Sequence, residues 1–247
     1  VESNLLLDTY LRQLRLPSFL NNYAQFASDA ARNNEDHVRY LLALAELEMD
    51  QREQNVLKKR IRAARFPVIK ELADFDFSAV PLLNKALLLD YARGEYIQNR
   101  ESLIFVGNPG LGKTHLATGL ALTACRQGRH VRFWTAAGLV NELLQAQDEH
   151  RLHRAISAAL KLDLVVLDEL GFIPFSANGA QVLFTFCSEL YERLALIVTT
   201  NLKFANWVQI FGDERLTAAL LDRLTHHAHI VELMGESFRF RQRMKDV

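Results

Sequence analysis

The residues Gly107-Asn108-Pro109-Gly110-Leu111-Gly112-Lys113-Thr114 satisfy G-x-x-x-x-G-K-[ST] at every position. Glycines at these places let backbone N–H groups turn inward around phosphate oxygens. Lys113 is long enough to reach β- and γ-phosphates, and Thr114 offers a hydroxyl to Mg2+. The apolar run Leu103-Ile104-Phe105-Val106 precedes the loop, and an Ala/Leu-rich segment from His115 to Arg126 follows. That is a strand, a phosphate loop and a helix whose N-terminal dipole favours an anion. Two carboxylates come next. Leu164-Val165-Val166-Leu167 reads as a buried strand, and Asp168-Glu169 ends it. A carboxylate at the C-terminal end of a parallel strand suits Mg2+, so Asp168 is the metal candidate. Glu169 is placed to orient or deprotonate an attacking water.

Asn201 ends the apolar run Leu196 to Thr200. A strand parallel to the phosphate-loop strand would bring it beside the terminal phosphate. Arg223 lies in the helical pattern Leu216, Ala219, Leu220, Leu224 and is a candidate to stabilise charge on a neighbouring copy's phosphoryl group. Arg215 is the alternative, and Arg239, Arg241 and Arg243 offer a further phosphate or nucleic-acid contact. Other residues read as ordinary. His226-His227-x-His229 has no carboxylate or cysteine at ligand spacing, so it reads as solvent-facing rather than as a metal cluster. Phe75 and Phe77 fit an adenine wall and core packing equally. Cys125 and Cys187 read as small core residues.

The elements that must position these groups fall into two textures. Residues 1–70 read as an all-helical domain. Leu7, Tyr10, Leu11 and Leu14 recur at helical spacing, Pro17 interrupts, and Ser18 is placed to cap a helix carrying Phe19, Tyr23 and Phe26. Val38, Leu41, Leu42, Ala45 and Met49 form a third stripe, which runs on to Arg65 before Phe66-Pro67 stops it. From Gln54 to Lys70 there are six basic residues and no acidic one. Lys58, Arg62 and Arg65 share a face, and Lys59 aligns with Arg52. Like charges this dense repel within a helix and suggest a polyanion nearby, a phosphate backbone in the first place, with an acidic partner surface or a plain solvated face as the alternatives. Residues 71–247 alternate strand and helix, the pattern of an α/β domain with a parallel sheet between helices.

Composition narrows the class further. Lys+Arg 29 balances Asp+Glu 29, which excludes a globally basic chromatin-type protein but leaves a local basic stripe possible. With 49% hydrophobic residues the chain can bury a substantial core and is not a disordered tail. Two cysteines allow no disulfide framework and no Cys-rich zinc site, so a cytoplasmic location is expected. No apolar window reaches membrane-spanning length.

Together, the Gly107-to-Thr114 loop, Asp168-Glu169-Leu170-Gly171, Thr199-Thr200-Asn201 and Leu221-Asp222-Arg223-Leu224 resemble an AAA+ ATPase of the initiator and helicase-loader group. The chain most resembles the IstB transposition helper family. Glu46-x-Glu48 with its basic run, Phe66-Pro67, Asp74-Phe75-Asp76-Phe77, Lys113-Thr114-His115-Leu116-Ala117 and Gly235-Glu236-Ser237-Phe238-Arg239 extend the likeness over nearly the whole chain. The resemblance implies a P-loop AAA+ core after a small all-α domain, with no full lid. It implies that ATP and Mg2+ are held by Gly107 to His115 and by Thr114 with Asp168. It makes Glu169, Asn201 and Arg223 the catalytic set, while the basic helix face itself makes Lys58, Lys59, Arg62 and Arg65 the candidate DNA contacts. It further implies an ATPase that forms homo-oligomers on double-stranded DNA with ATP at subunit interfaces, remodels the target and assists a transposase.

The competing reading is a replicative helicase loader acting on single-stranded DNA, with the same core chemistry. A GTPase is disfavoured because Thr200-Asn201-Leu202-Lys203 does not fit Asn-Lys-x-Asp. A small-molecule kinase would require a phosphorylated acceptor. A scaffold without turnover is disfavoured by the paired Asp168-Glu169.

Overall fold

The structure is a computed structural model and describes residues 2–235, 237 and 238. Arg239, Arg241 and Arg243 lie outside the described residues. The chain forms two compact units, residues 1–59 and 60–247. The boundary expected at residue 70 therefore falls inside the second unit. The reason is local packing. Ala64 is fully buried, the Ala63 carbonyl accepts from Arg132 Nη1 at 3.2 Å, and the Phe66 ring meets Phe133 edge-on.

The first unit consists of α1 (Glu2–Gln13), α2 (Pro17–Arg32) and the start of α3 (His37–Ala64). Leu11 and Leu44 are buried within it. The expected apolar stripes are only partly covered, since Leu7, Tyr10, Leu14, Val38, Leu41, Leu42 and Met49 are all exposed. Ser18 does not cap α2. Pro17 takes the first helical turn, where its missing N–H is no loss. The Ser18 N–H is instead capped from α3, donating to Glu48 Oε2 at 2.9 Å. Arg52 Nε holds the other Glu48 oxygen at 2.8 Å while its Nη2 donates to the Arg15 carbonyl. Arg52 is thereby committed to the fold rather than to the basic stripe.

The second unit opens with α4 (Lys85–Ala92) and α5 (Glu95–Gln98). It continues with β1 (Ser102–Gly107), α6 (Lys113–Arg126), β2 (Val131–Thr135), α7 (Ala136–Asp148) and α8 (Leu152–Ala159). Then follow β3 (Leu164–Asp168), α9 (Ala177–Leu190), β4 (Ala195–Thr200), α10 (Val208–Phe211), α11 (Glu214–Thr225) and β5 (Ala228–Leu233). The described strands form one sheet in the order β2-β3-β4-β1-β5, and every pairing is parallel. Parallel strands covered on both faces need apolar residues throughout, and β3 and β4 are buried along their whole length. Ile104, Val106, Val165, Leu167, Leu196 and Val198 join the core shared with α7, α9 and α11. α6 lies against β1, β2, β3 and β4. Thr135, Ser176 and Asp213 cap α7, α9 and α11 through their side-chain oxygens. No helix among the described residues is long and apolar enough to cross a membrane.

Candidate nucleotide site

The sheet order places β1 between β4 and β5, with β3 beyond β4. The strand ends at Gly107, Asp168 and Thr200 therefore open on one edge, where an α/β sheet binds its ligand. Gly110 and Gly112 adopt left-handed φ of +85° and +88°. A Cβ at Gly112 would stand 2.6 Å from the Phe75 ring, and one at Gly110 would stand 2.2 Å from Ser237 Oγ. The loop is thus packed from both sides. α6 starts at Lys113 with no side-chain cap, so its first N–H groups face the loop. The Lys113 ammonium donates to the carbonyls of Gly107 (2.7 Å) and Asn108 (2.8 Å), folded over the loop it would share with a phosphate.

Asp168 is the buried centre of the acidic end. Its Oδ1 accepts from Thr114 Oγ1 at 2.9 Å and from Thr199 Oγ1 at 2.5 Å. Burial pushes the Asp168 carboxyl above its ordinary range, while the bonds from Thr199, Thr114 and the Glu169 N–H and the charge of Lys113 work against that rise. Glu169 leaves the strand in a left-handed conformation, φ +59°, with its side chain exposed. Its N–H donates to Thr199 Oγ1 at 2.9 Å, and the Leu170 N–H donates to the Thr199 carbonyl. Glu169 lines the cleft from this left-handed turn, a conformation costing about 1–3 kcal/mol that the Thr199 bonds help to hold.

These groups surround a cavity of about 330 Å³. Pro109 to His115, Glu169, Thr199, Thr200 and Asn201 line its polar side, and Phe75, Ala79, Phe172 and Phe238 its apolar side. Phe75 is buried against Phe77 and His115 and also lines the cavity. His115 Nε2 is 2.7 Å from the Glu71 carbonyl, and Arg126 clasps the Glu71 carboxylate with both terminal nitrogens, tying residues 71–79 to α6. Phe238, whose N–H donates to the Gly110 carbonyl at 3.0 Å, is a lining residue that motif spacing does not reveal. Its one signal is the segment Gly235 to Arg239.

Arg223 is elsewhere. Its Nη1 donates to Ser188 Oγ at 2.7 Å, and its guanidinium lies 4.6 Å from the Phe184 ring centroid. It makes no ion pair with a described residue, Asp222 and Glu214 included. The small pocket it lines shares no residue with the nucleotide cavity. Arg215 is exposed and has no partner among the described residues. Lys58, Lys59, Arg62 and Arg65 are exposed, Arg65 just past the end of α3 with φ +57°. The Arg65 charge also bears on Arg132 of edge strand β2, whose own burial depresses its guanidinium further.

The residues present fit a magnesium nucleoside triphosphate. The glycine cradle, the uncapped helix start, the ammonium and the hydroxyl–carboxylate pair form the donor set such a ligand requires.

Comparison with known proteins agrees. The family model for the IstB-like ATP binding protein matches residues 9–246. A protein of insertion sequence IS232 from Bacillus thuringiensis subsp. berliner, named as ATP-binding, is 32% identical over 95% of this chain and 94% of its own length. The corresponding protein of insertion sequence IS5376 from Geobacillus stearothermophilus is also 32% identical, over 95% and 93%. Among solved structures, DnaA bound to AMPPCP and single-stranded DNA matches at TM-score 0.54 and 19% identity, covering 71% of this chain and 54% of that one. The DnaC helicase loader matches at 0.51 and 20%, covering 72% and 99%. These neighbours establish the fold as the AAA+ P-loop type. On the family match and the length of these alignments, the chain belongs to the IstB-like ATP-binding proteins of insertion sequences.

Proposed function

We propose that this protein is an ATPase that uses ATP as an assembly switch, oligomerises on double-stranded DNA, remodels that DNA and assists an insertion-sequence transposase. The observation that carries the reading is the meeting of Lys113, Thr114, Glu169 and Asn201 on one sheet edge around one cavity, with Asp168 bonded to Thr114 at its margin. Gly107 to Thr114 hold the phosphates, and Phe75, Ala79 and Phe238 form the wall for the base. Thr114 and Asp168 hold Mg2+, which supplies charge neutralisation on the β- and γ-phosphates when bound. Glu169 orients and deprotonates the attacking water, and Asn201 fixes it from β4.

Arg223 completes the site of the next copy. It lines a pocket separate from the nucleotide cavity of its own chain, and its partners there, Ser188 and Phe184, are neutral. A triphosphate thus joins two protomers where a diphosphate lacks the group that Arg223 meets. Successive protomers would then align Lys58, Lys59, Arg62 and Arg65 along one duplex, so that weak phosphate contacts add through effective concentration. Bending a duplex costs several kcal/mol on elastic estimates, roughly 1–6 for a short site, and these contacts must offset it.

Electron microscopy of the protein with duplex DNA, ATP or ADP, and Mg2+ tests the proposal. Ordered assemblies are expected with ATP only. Lys113→Ala should abolish them, and Glu169→Gln should form them and retain them on DNA. A protein that stays monomeric with all components supplied overturns the switch, and normal hydrolysis by Glu169→Gln removes that residue from its role.

A further inference from the structure

The ends of α9 and α11 meet on a face away from the nucleotide cavity. Tyr191 and Glu192 follow α9, while His226 and His227 follow α11. One ligand atom each from Glu192, His226 and His227 lies within 4.8 Å of the others. The two imidazole centroids are 4.1 Å apart, and His227 Nε2 is 3.7 Å from Glu192 Oε1. All three side chains are exposed, so an ion from solvent can reach them.

Two surrounding features organise the cluster. His226 Nδ1 lies 2.6 Å from the Tyr191 hydroxyl. That bond fixes the orientation of the ring, as an outer-shell partner does for a ligating histidine, and Tyr191 also hydrogen-bonds Glu192. Glu192 is held at φ +57°, a conformation few non-glycine residues adopt. Two guanidinium groups line the same small pocket as Glu192 and His227, and both have other partners. Arg223 is bonded to Ser188 and stacked on Phe184, and Arg100 Nη1 donates to the Glu192 main-chain carbonyl at 3.2 Å. His229 is not a member, since its Nε2 is 2.8 Å from Glu101 on the other side of the strand start.

We propose that Glu192, His226 and His227 form a binding site for a divalent transition ion of the zinc class, which ties the end of α9 to the end of α11. Two imidazoles and one carboxylate suit such an ion, with water in the remaining position. Mg2+ prefers oxygen donors and remains at the nucleotide. The tie has a consequence for the neighbouring arginine. Ser188 and Phe184 sit on α9 and Arg223 on α11, so the ion fastens together the two helices that hold the guanidinium in place.

Tag-free full-length protein without nucleotide, in excess Mg2+, is titrated with Co2+ and the visible d–d bands are followed. Zn2+ is then added as competitor and its affinity measured by calorimetry. One equivalent of Co2+ displaced by Zn2+ is expected. His227→Gln and Glu192→Gln should each weaken Zn2+ by about 100-fold or more, and Tyr191→Phe by about tenfold, the effect of losing an outer-shell partner. His229→Gln should bind as the wild type does. Zn2+ should also raise the melting temperature of the wild type and not that of His227→Gln. Absence of d–d bands, or Zn2+ affinity that survives the double variant His226→Gln/His227→Gln, overturns the site.

Discussion

The hydroxyl of Thr199 joins the two acidic residues of the candidate site. It donates to Asp168 Oδ1 and accepts from the Glu169 N–H, so one buried side chain sets both the metal carboxylate and the turn that carries the other. Thr199→Val keeps the volume and removes both bonds. Hydrogen bonds to charged groups contribute about 1.5–3 kcal/mol, so ATP turnover should fall by roughly 10- to 100-fold. ATP affinity should stay within about twofold, because the phosphate cradle does not include this hydroxyl, and Thr199→Ser should recover most of the rate. Steady-state phosphate release together with fluorescent-nucleotide binding separates the two quantities. An equal loss in Thr199→Ser would mean that the methyl group, not the hydroxyl, matters. The acidic pair and the glycine loop were legible in the sequence because their chemistry is written in consecutive residues. Thr199 was visible only as part of a strand end, since its contacts cross from β4 to β3. Glu192 escaped for the same reason: it is distant in sequence from His226 and His227, so ligand spacing could not show it.

At the scale of elements, the interior strands could be read almost to the residue, because a parallel strand buried on both faces is a bare apolar run. The runs at Leu103 and Leu196 become Ser102–Gly107 and Ala195–Thr200, and the strand at Leu164 extends only through Asp168. The helical first unit was read less well. Periodicity located its helices, yet it could not tell which stripes are covered, and it gave Ser18 a capping role that belongs to Glu48. That carboxylate is nearly buried. Burial alone would raise its pKa, but the bonds from the Ser18 N–H, Arg52 and the Ser18 side chain, with the Arg52 charge, outweigh it and leave the pKa lowered. A carboxyl depressed in the folded state adds stability above its unfolded pKa of about 4.3 and loses that contribution as pH falls through the folded value. Glu48→Gln should therefore speed hydrogen exchange at the start of α2 at neutral pH, equivalent to about 1–3 kcal/mol of local stability. The difference from wild type should vanish in acid, below the folded pKa. Exchange that is unchanged at neutral pH would show that the carboxylate is not the cap.

At the scale of the whole molecule, no arginine among the described residues lines the nucleotide cavity. Arg223 lines a pocket with no residue in common with the nucleotide cavity, which supports our proposal that the arginine comes from another copy in a head-to-tail contact. Motif spacing and strand order carry no sign of where Arg223 sits; its contacts with Ser188 and Phe184 do. The arrangement predicts complementation between two inactive variants. Lys113→Ala lacks the phosphate ligand but keeps its arginine, and Arg223→Ala binds ATP but offers none. Alone, each should hydrolyse ATP at the background level on duplex DNA. Mixed in equal amounts, an Arg223→Ala protomer can receive the arginine of a Lys113→Ala neighbour, the one ordered pairing that a triphosphate can join. Half of the protomers then hold a working phosphate site, so phosphate release should recover to at most about half of the wild-type rate, with a dependence on total protein concentration that neither variant shows by itself. Turnover by Arg223→Ala alone, or a mixture no more active than its components, would place the stabilising cation within the chain and remove the reason for a triphosphate to join two protomers.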